Sequence, residues 1–150
     1  MGNCITVVRK KRDYNTGLLK QGVVRVGFFE DSRYDGNTSV AQVARWNEFG
    51  VPSRIPKRAF MRPAVFEKKT DLNNMVHKMY RQAIRDNQDT LETLEKFGEY
   101  VKGLIQEQIR NTTEPPNARS TIKKKGFNAP LRDTLIMLHS VRSQAEEYKK

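Results

Sequence analysis

The spacing of apolar residues divides this chain into segments of different character. Ile5 to Val8 and Val23 to Phe29 are β-branched and aromatic runs separated by a polar stretch through Asp13, Tyr14, Asn15 and Gly17, which predicts an antiparallel pair of strands. Asp35-Gly36 marks a turn. Val40, Val43, Ala44 and Asn47 then fall at i, i+3, i+4 and i+7, one face of a short helix with Asn37 or Ser39 as its N-cap. Gly50 offers the left-handed position that ends such a helix, and Pro52 keeps it from resuming. From Val65 the pattern turns strongly helical: Leu72, Met75, Val76, Met79, Tyr80, Ala83 and Ile84 repeat at three and four. Asp89, with Glu92 at capping-box spacing, opens a second helix through Leu91, Leu94, Phe97, Val101, Leu104, Ile105 and Ile109. Only Asn87 and Gln88 separate the two, so they should form an antiparallel hairpin of helices each roughly 30 Å long. Gly98 and Gly103 weaken the second helix and read as points of close packing.

Two segments lack this periodicity. In residues 51–62, Val51 and Ile55 each precede a proline and are biased to extended geometry. Arg54, Lys57, Arg58 and Arg62 hang on this arm with Ile55 and Phe60 as apolar anchors. Pro63 suits the first turn of the next helix, where its missing N–H costs nothing. An extended, proline-stiffened arm of this kind suits docking on another subunit or a polyanion and fits an enzyme pocket poorly. It is expected to project, and changes in it to spare the fold while blocking assembly. The second aperiodic segment, 111–133, is punctuated by Pro115, Pro116, Gly126 and Pro130. It carries Arg119, Lys123, Lys124, Lys125 and Arg132 with no acidic residue between them. It reads as an irregular basic loop, the least ordered part of the chain. Residues 134–150 begin apolar, end polar, and fit strand or helix.

Composition narrows the possibilities. The chain has 150 residues, one domain's worth, with 37% hydrophobic residues and a mean hydropathy of −0.76. That is lean for a free-standing globule, so part of the surface should be covered by copies or partners. A net charge of +11 implies attraction to polyanions: nucleic acid, anionic membrane or acidic protein. The one cysteine, Cys4, excludes an internal disulfide framework and fits a reducing compartment. No apolar run approaches a membrane span or signal-peptide core, so neither insertion nor export by that route is expected.

Catalytic chemistry has little to work with. His77 and His139 are the only histidines, and Cys4 is remote from both in sequence. His139 and Ser140 are adjacent, a spacing that rarely makes a nucleophile–base pair. No phosphate-cradling glycine loop, metal-ligand spacing or acid–base motif is present. The chain is therefore read as a non-enzyme without cofactors. Met1-Gly2-Asn3-Cys4-Ile5-Thr6 matches an N-myristoylation acceptor, with Cys4 placed for palmitoylation and Arg9-Lys10-Lys11-Arg12 as a second membrane signal. The simpler explanation, a first strand over Ile5 to Val8, is preferred. Trp46 and Phe28-Phe29 are suited to stacking on bases, but core packing explains them more simply. Lys123-Lys124-Lys125 has a better claim to phosphate contact.

Asn47-Glu48-Phe49-Gly50, followed by Ile55-Pro56-x-Arg58-x-Phe60-x-Arg62-Pro63-Ala64, resembles the hallmark of small neck and tail-completion proteins of tailed double-stranded-DNA bacteriophages. A second block is similar to that family's C-terminal signature: Pro115-Pro116-Asn117-Ala118-x-Ser120-Thr121-Ile122-x-x-Lys125-Gly126, then Pro130-Leu131-x-Asp133-Thr134, Met137 and Ser140-Val141. The two blocks occur in the family's order. The chain departs from the pattern at Ala59, where proline is usual, and at Leu135, where glycine is usual.

The resemblance implies a structural virion component at the head–tail junction, assembled in the bacterial host cytoplasm. Copies would form a ring around the DNA channel and join the portal-side connector to the tail. Non-specific contact with double-stranded DNA is open to such a ring, and no membrane is involved. On that reading Glu48, Phe49, Ile55, Arg58, Phe60 and Arg62 contact a neighbouring subunit or protein. Arg119, Lys123, Lys124 and Lys125 face DNA or an acidic partner. A tail-terminator or minor tail subunit, or a basic nucleic-acid-binding module, are the competing assignments. The expected architecture is α+β: a small antiparallel sheet on a long antiparallel helical hairpin, with the Pro/Arg arm and the basic loop attached.

Overall fold

The computed structural model describes residues 21–132 and 134–148, and its architecture is α+β. Chain order is β1 (Gly22–Phe28), α1 (Val40–Phe49), α2 (Met61–Phe66), α3 (Lys69–Arg85), α4 (Thr90–Asn111), α5 (Arg119–Lys125), α6 (Ile136–His139) and β2 (Val141–Glu147). The two strands pair antiparallel, with Val24 opposite Ala145 and Phe28 opposite Val141. The strand expected at Ile5 to Val8 lies outside the described residues. Among those described, the partner of β1 comes from the far end of the chain, which settles 141–147 as strand.

Helix α4 is the organising element. Its apolar face (Leu94, Val101, Leu104, Ile105 and Ile109) is buried against both strands and against α2 and α3. Asp89 caps it as its sequence position suggests, accepting from the Leu91 N–H at 2.8 Å. Helix α3 joins it through the turn at 86–89, where Asn87 takes a positive φ of 52°. This is the expected hairpin. Its two helices differ in burial: Leu72 and Ala83 are the buried residues of α3, while Met75, Val76, Met79 and Tyr80 stay half-exposed. Val40, Phe60, Leu72, Ile105, Ile109 and Val141 belong to one continuous core.

The helix–sheet contact is set by a missing side chain. A Cβ added at Gly98 would lie 2.6 Å from Val24 Cγ2 and 3.1 Å from Ser143 Cβ, so only glycine lets α4 approach both strands this closely. Gly103, expected to do the same, has nothing within 4 Å of that position and is exposed. Further along, 119–125 of the expected irregular loop is helical, closed by Gly126 in left-handed geometry at φ 82°. Leu135, where the resembled pattern has glycine, sits at φ 60°, a region that costs a branched side chain roughly 1–2 kcal/mol.

The two glycines should therefore respond oppositely to alanine. Gly103→Ala should stabilise by about 0.5–1 kcal/mol through helix propensity. Gly98→Ala gains the same propensity but overpacks the stiff, β-branched Val24, so a net loss of about 1 kcal/mol is expected. Urea unfolding of both variants checks this. Equal shifts of the same sign would contradict the packing account.

Candidate functional site

The motif from Asn47 to Ala64 folds back on its own subunit. Its centre is Glu48, in the last turn of α1 and only 3% exposed. A carboxylate is disfavoured at a helix C-terminus by the macrodipole and in an apolar interior by desolvation. Here it is saturated with donors. Phe60 N–H donates to Oε2 at 2.7 Å, Met61 N–H to Oε2 at 2.9 Å and Arg62 N–H to Oε1 at 3.1 Å. Arg62 Nε donates to Oε1 at 2.8 Å, while its Nη2 donates to the Glu48 backbone carbonyl at 3.0 Å.

The pattern is a reciprocal cap. The amides of Phe60, Met61 and Arg62 open α2, where helical N–H groups have no partner within the helix, and Phe60 has no side-chain cap to offer them. Pro63 follows and has no N–H to satisfy. Glu48 thus places negative charge at the N-terminus of α2, and Arg62 places positive charge at the C-terminus of α1; both favour the dipoles. Burial pulls the Glu48 carboxyl up, but the Arg62 guanidinium and the three amides outweigh it and hold the group below its ordinary 4.5.

Arg58 makes a second clamp. Its N–H donates to the Asn47 carbonyl at 2.7 Å, its Nε to the Pro115 carbonyl at 2.7 Å and its Nη2 to the Pro116 carbonyl at 2.8 Å. Burial lowers its pKa. It shares a cavity of about 460 Å³ with Trp46, Asn117, Lys125 and Leu135, in which Asn117 Nδ2 has no hydrogen-bond partner among the described residues. Between the clamps, Val51 and Ile55 exchange backbone hydrogen bonds at 2.8 and 2.9 Å around Ser53, at a φ of 57°. The segment is a tight reversal followed by a return run. The expectation of a projecting arm is corrected.

Of the residues assigned to a neighbour, Glu48, Arg58 and Phe60 are buried with partners in this chain, and Phe60 packs edge-on to Phe28 at 6.0 Å. The physical reason is plain: arginine, glutamate and phenylalanine are as apt for an internal polar clamp and core as for an interface. Substitutions at Glu48, Arg58 or Phe60 therefore bear on the fold itself. Ile55 is half-buried in the reversal. Arg62 is partly exposed and lies 4.8 Å from the Phe49 ring centroid. Phe49 itself is 61% exposed. Arg119, Lys123 and Lys124 stand exposed on α5, its last-turn lysines matching the helix dipole, while Lys125 reaches the Arg58 cavity.

Sequence reasoning missed Phe66, which is 67% exposed. Together with Phe49 it edges an apolar groove of about 540 Å³ lined by Val26, Met61, Val65, Leu72, Phe97 and Ile105. Phe66 continues the helical pattern that begins at Val65, so nothing in its spacing marks it as exposed. Among the described residues, no group of three or more His, Cys, Asp or Glu could hold a metal ion, and no helix is long and apolar enough to cross a membrane.

Removing the Glu48 charge tests the cap. Glu48→Gln should destabilise the chain by about 3 kcal/mol at neutral pH, because Arg62 and three amides lose a buried anion. A depressed carboxyl contributes stability that is complete above its unfolded value, near 4.5, and is lost as pH falls through its lower folded value. The wild type should thus lose stability in acid below 4.5 more steeply than Glu48→Gln. Parallel pH profiles of unfolding would contradict the assignment.

Comparison with known proteins supplies no relative: no protein-family model matches the chain, and no curated protein or solved structure does either.

Proposed function

We propose that this chain is a structural subunit of the neck of a tailed double-stranded-DNA bacteriophage, copies of which form a ring joining the portal-side connector to the tail around the DNA channel. One observation carries the reading. The two sequence blocks that resemble the neck-protein pattern meet through Arg58, whose guanidinium binds the carbonyls of Pro115 and Pro116, 57 and 58 residues away. Residues resembling a family motif at both ends of one hydrogen-bonded clamp are what a motif that maintains the subunit's shape would give.

The clamp leaves Phe49 and Phe66 facing outward, at the edge of a groove partly walled by Met61 and Arg62 of the same motif. We assign that groove to a second copy of the chain. Exposed aromatic rings beside an apolar trough are the residue types that dominate protein–protein contacts. A ring needs such a heterologous, repeating contact. Function on this account is assembly, with Glu48, Arg58 and Arg62 keeping the contact surface rigid.

Phe66→Ser tests the contact, since Phe66 is exposed and Phe49 also carries Arg62. The variant should unfold within about 0.5 kcal/mol of the wild type, as an exposed substitution does. It should remain monomeric by sedimentation where the wild type forms rings, and in infected cells leave filled heads unjoined to tails. Rings from the variant at wild-type yield, or a wild type monomeric throughout, would contradict the reading.

A further inference from the structure

Beyond its first turn, which holds Asp71, the outer face of α3 carries positive charge only. Residues 72–85 contain His77, Lys78, Arg81 and Arg85 and no carboxylate. Asn74, Lys78, Arg81 and Arg85 follow at intervals of four, three and four, which aligns them in one stripe about 16 Å long. All four are exposed. The hollow along this face is lined by Asn74, His77, Lys78, Arg81, Gln82 and Arg85, with Asp86 at the helix end as its one carboxylate. Among the described residues, no other element lines it.

Five cations elsewhere are answered by carboxylates: Arg25 by Glu146, Arg62 by Glu48, Lys96 by Glu92, Lys102 by Glu99 and Arg142 by Asp31. Among the described residues, Lys78, Arg81 and Arg85 make no ion pair, although α4 alongside is rich in glutamate. Three cations and two amide side chains (Asn74 and Gln82) on one exposed helix face form a row rich in donors.

We propose that this face of α3 binds the phosphate backbone of duplex nucleic acid, through Lys78, Arg81 and Arg85, without reading sequence. Charge alone suffices for that partner, because each phosphate neutralised releases counterions. The amides of Asn74 and Gln82 add neutral donors suited to phosphate oxygens. A membrane surface fits less well: none of the exposed large apolar side chains among the described residues belongs to α3, so nothing enters the acyl region. An acidic protein surface would be expected to meet an apolar or aromatic anchor within the stripe, and none is there. The inference does not depend on ring formation; it holds equally for a single subunit.

The test is a salt titration of the full chain with 30-base-pair duplexes of two unrelated sequences, followed by fluorescence anisotropy. The wild type should bind both alike. K78Q/R81Q/R85Q should keep its thermal midpoint and lower the slope of log affinity against log salt by about 2.7. The single variant R81Q should lower it by about 0.9, which keeps the test decisive if the triple variant fails to fold. K123Q/K124Q/K125Q on α5 serves as a charge-matched control. An unchanged slope in the α3 variants, an equal drop in the α5 control, a preference for one sequence, or α3-dependent binding to phosphatidylserine vesicles but not to duplex would each overturn the proposal. Rings that assemble without binding DNA would refute it while leaving the neck reading intact, and DNA binding by a chain that never forms rings would do the reverse.

Discussion

The Glu48 carboxylate is the constraint on which the rest of this structure depends. An ionised group at 3% exposure survives only if its lone pairs are met. Here the donors that meet them belong to the first residues of the next helix. Satisfying the charge therefore fixes geometry. It orients the start of α2 against the end of α1 and drops Phe60 into the core against Phe28. It also leaves the Arg62 guanidinium in one place, between the end of α1 and the Phe49 ring. The reversal at 51–55, closed by its own backbone hydrogen bonds, and the return run to Phe60 connect the capped helix ends.

Arg58 extends the same logic over a longer range. Two proline carbonyls after α4 lie outside any helix or strand, and one planar guanidinium reaches both. The cationic arm is thereby used twice internally, and what the surface offers is different in kind: two exposed phenylalanines beside an apolar groove, and the cationic face of α3. A surface held by buried clamps loses little conformational freedom on docking, which favours association. On the proposed reading, rigidity inside and adhesion outside are thus divided between neighbouring residues.

The helical hairpin was legible because amphipathic periodicity is local, and Asp89 because a cap is read from its immediate neighbours. The partner of β1 was not, since Phe28 and Val141 are far apart in sequence and strand pairing leaves no local trace. Gly98 and Gly103 look alike in the sequence; only the strands across from Gly98 distinguish them. The arm was misread because arginine, proline and phenylalanine serve an interface and an internal clamp by the same chemistry. One signal was present: a glutamate in the last turn of α1 opposes the helix dipole and calls for a nearby donor set. The helix at 119–125 escaped notice because a run of seven residues with one apolar side chain, Ile122, has no period to detect.

Amide hydrogen exchange at Phe60, Met61 and Arg62 in the isolated subunit tests the central claim most directly. These three N–H groups donate to the Glu48 side chain alone and lie in no helical or strand ladder. If the carboxylate anchors the motif, they should exchange only with global unfolding, as slowly as Ile105 in the middle of α4. Exchange at the rate of an unstructured chain, with α4 still protected, would show that the motif is free in the subunit and that Glu48 does not hold it.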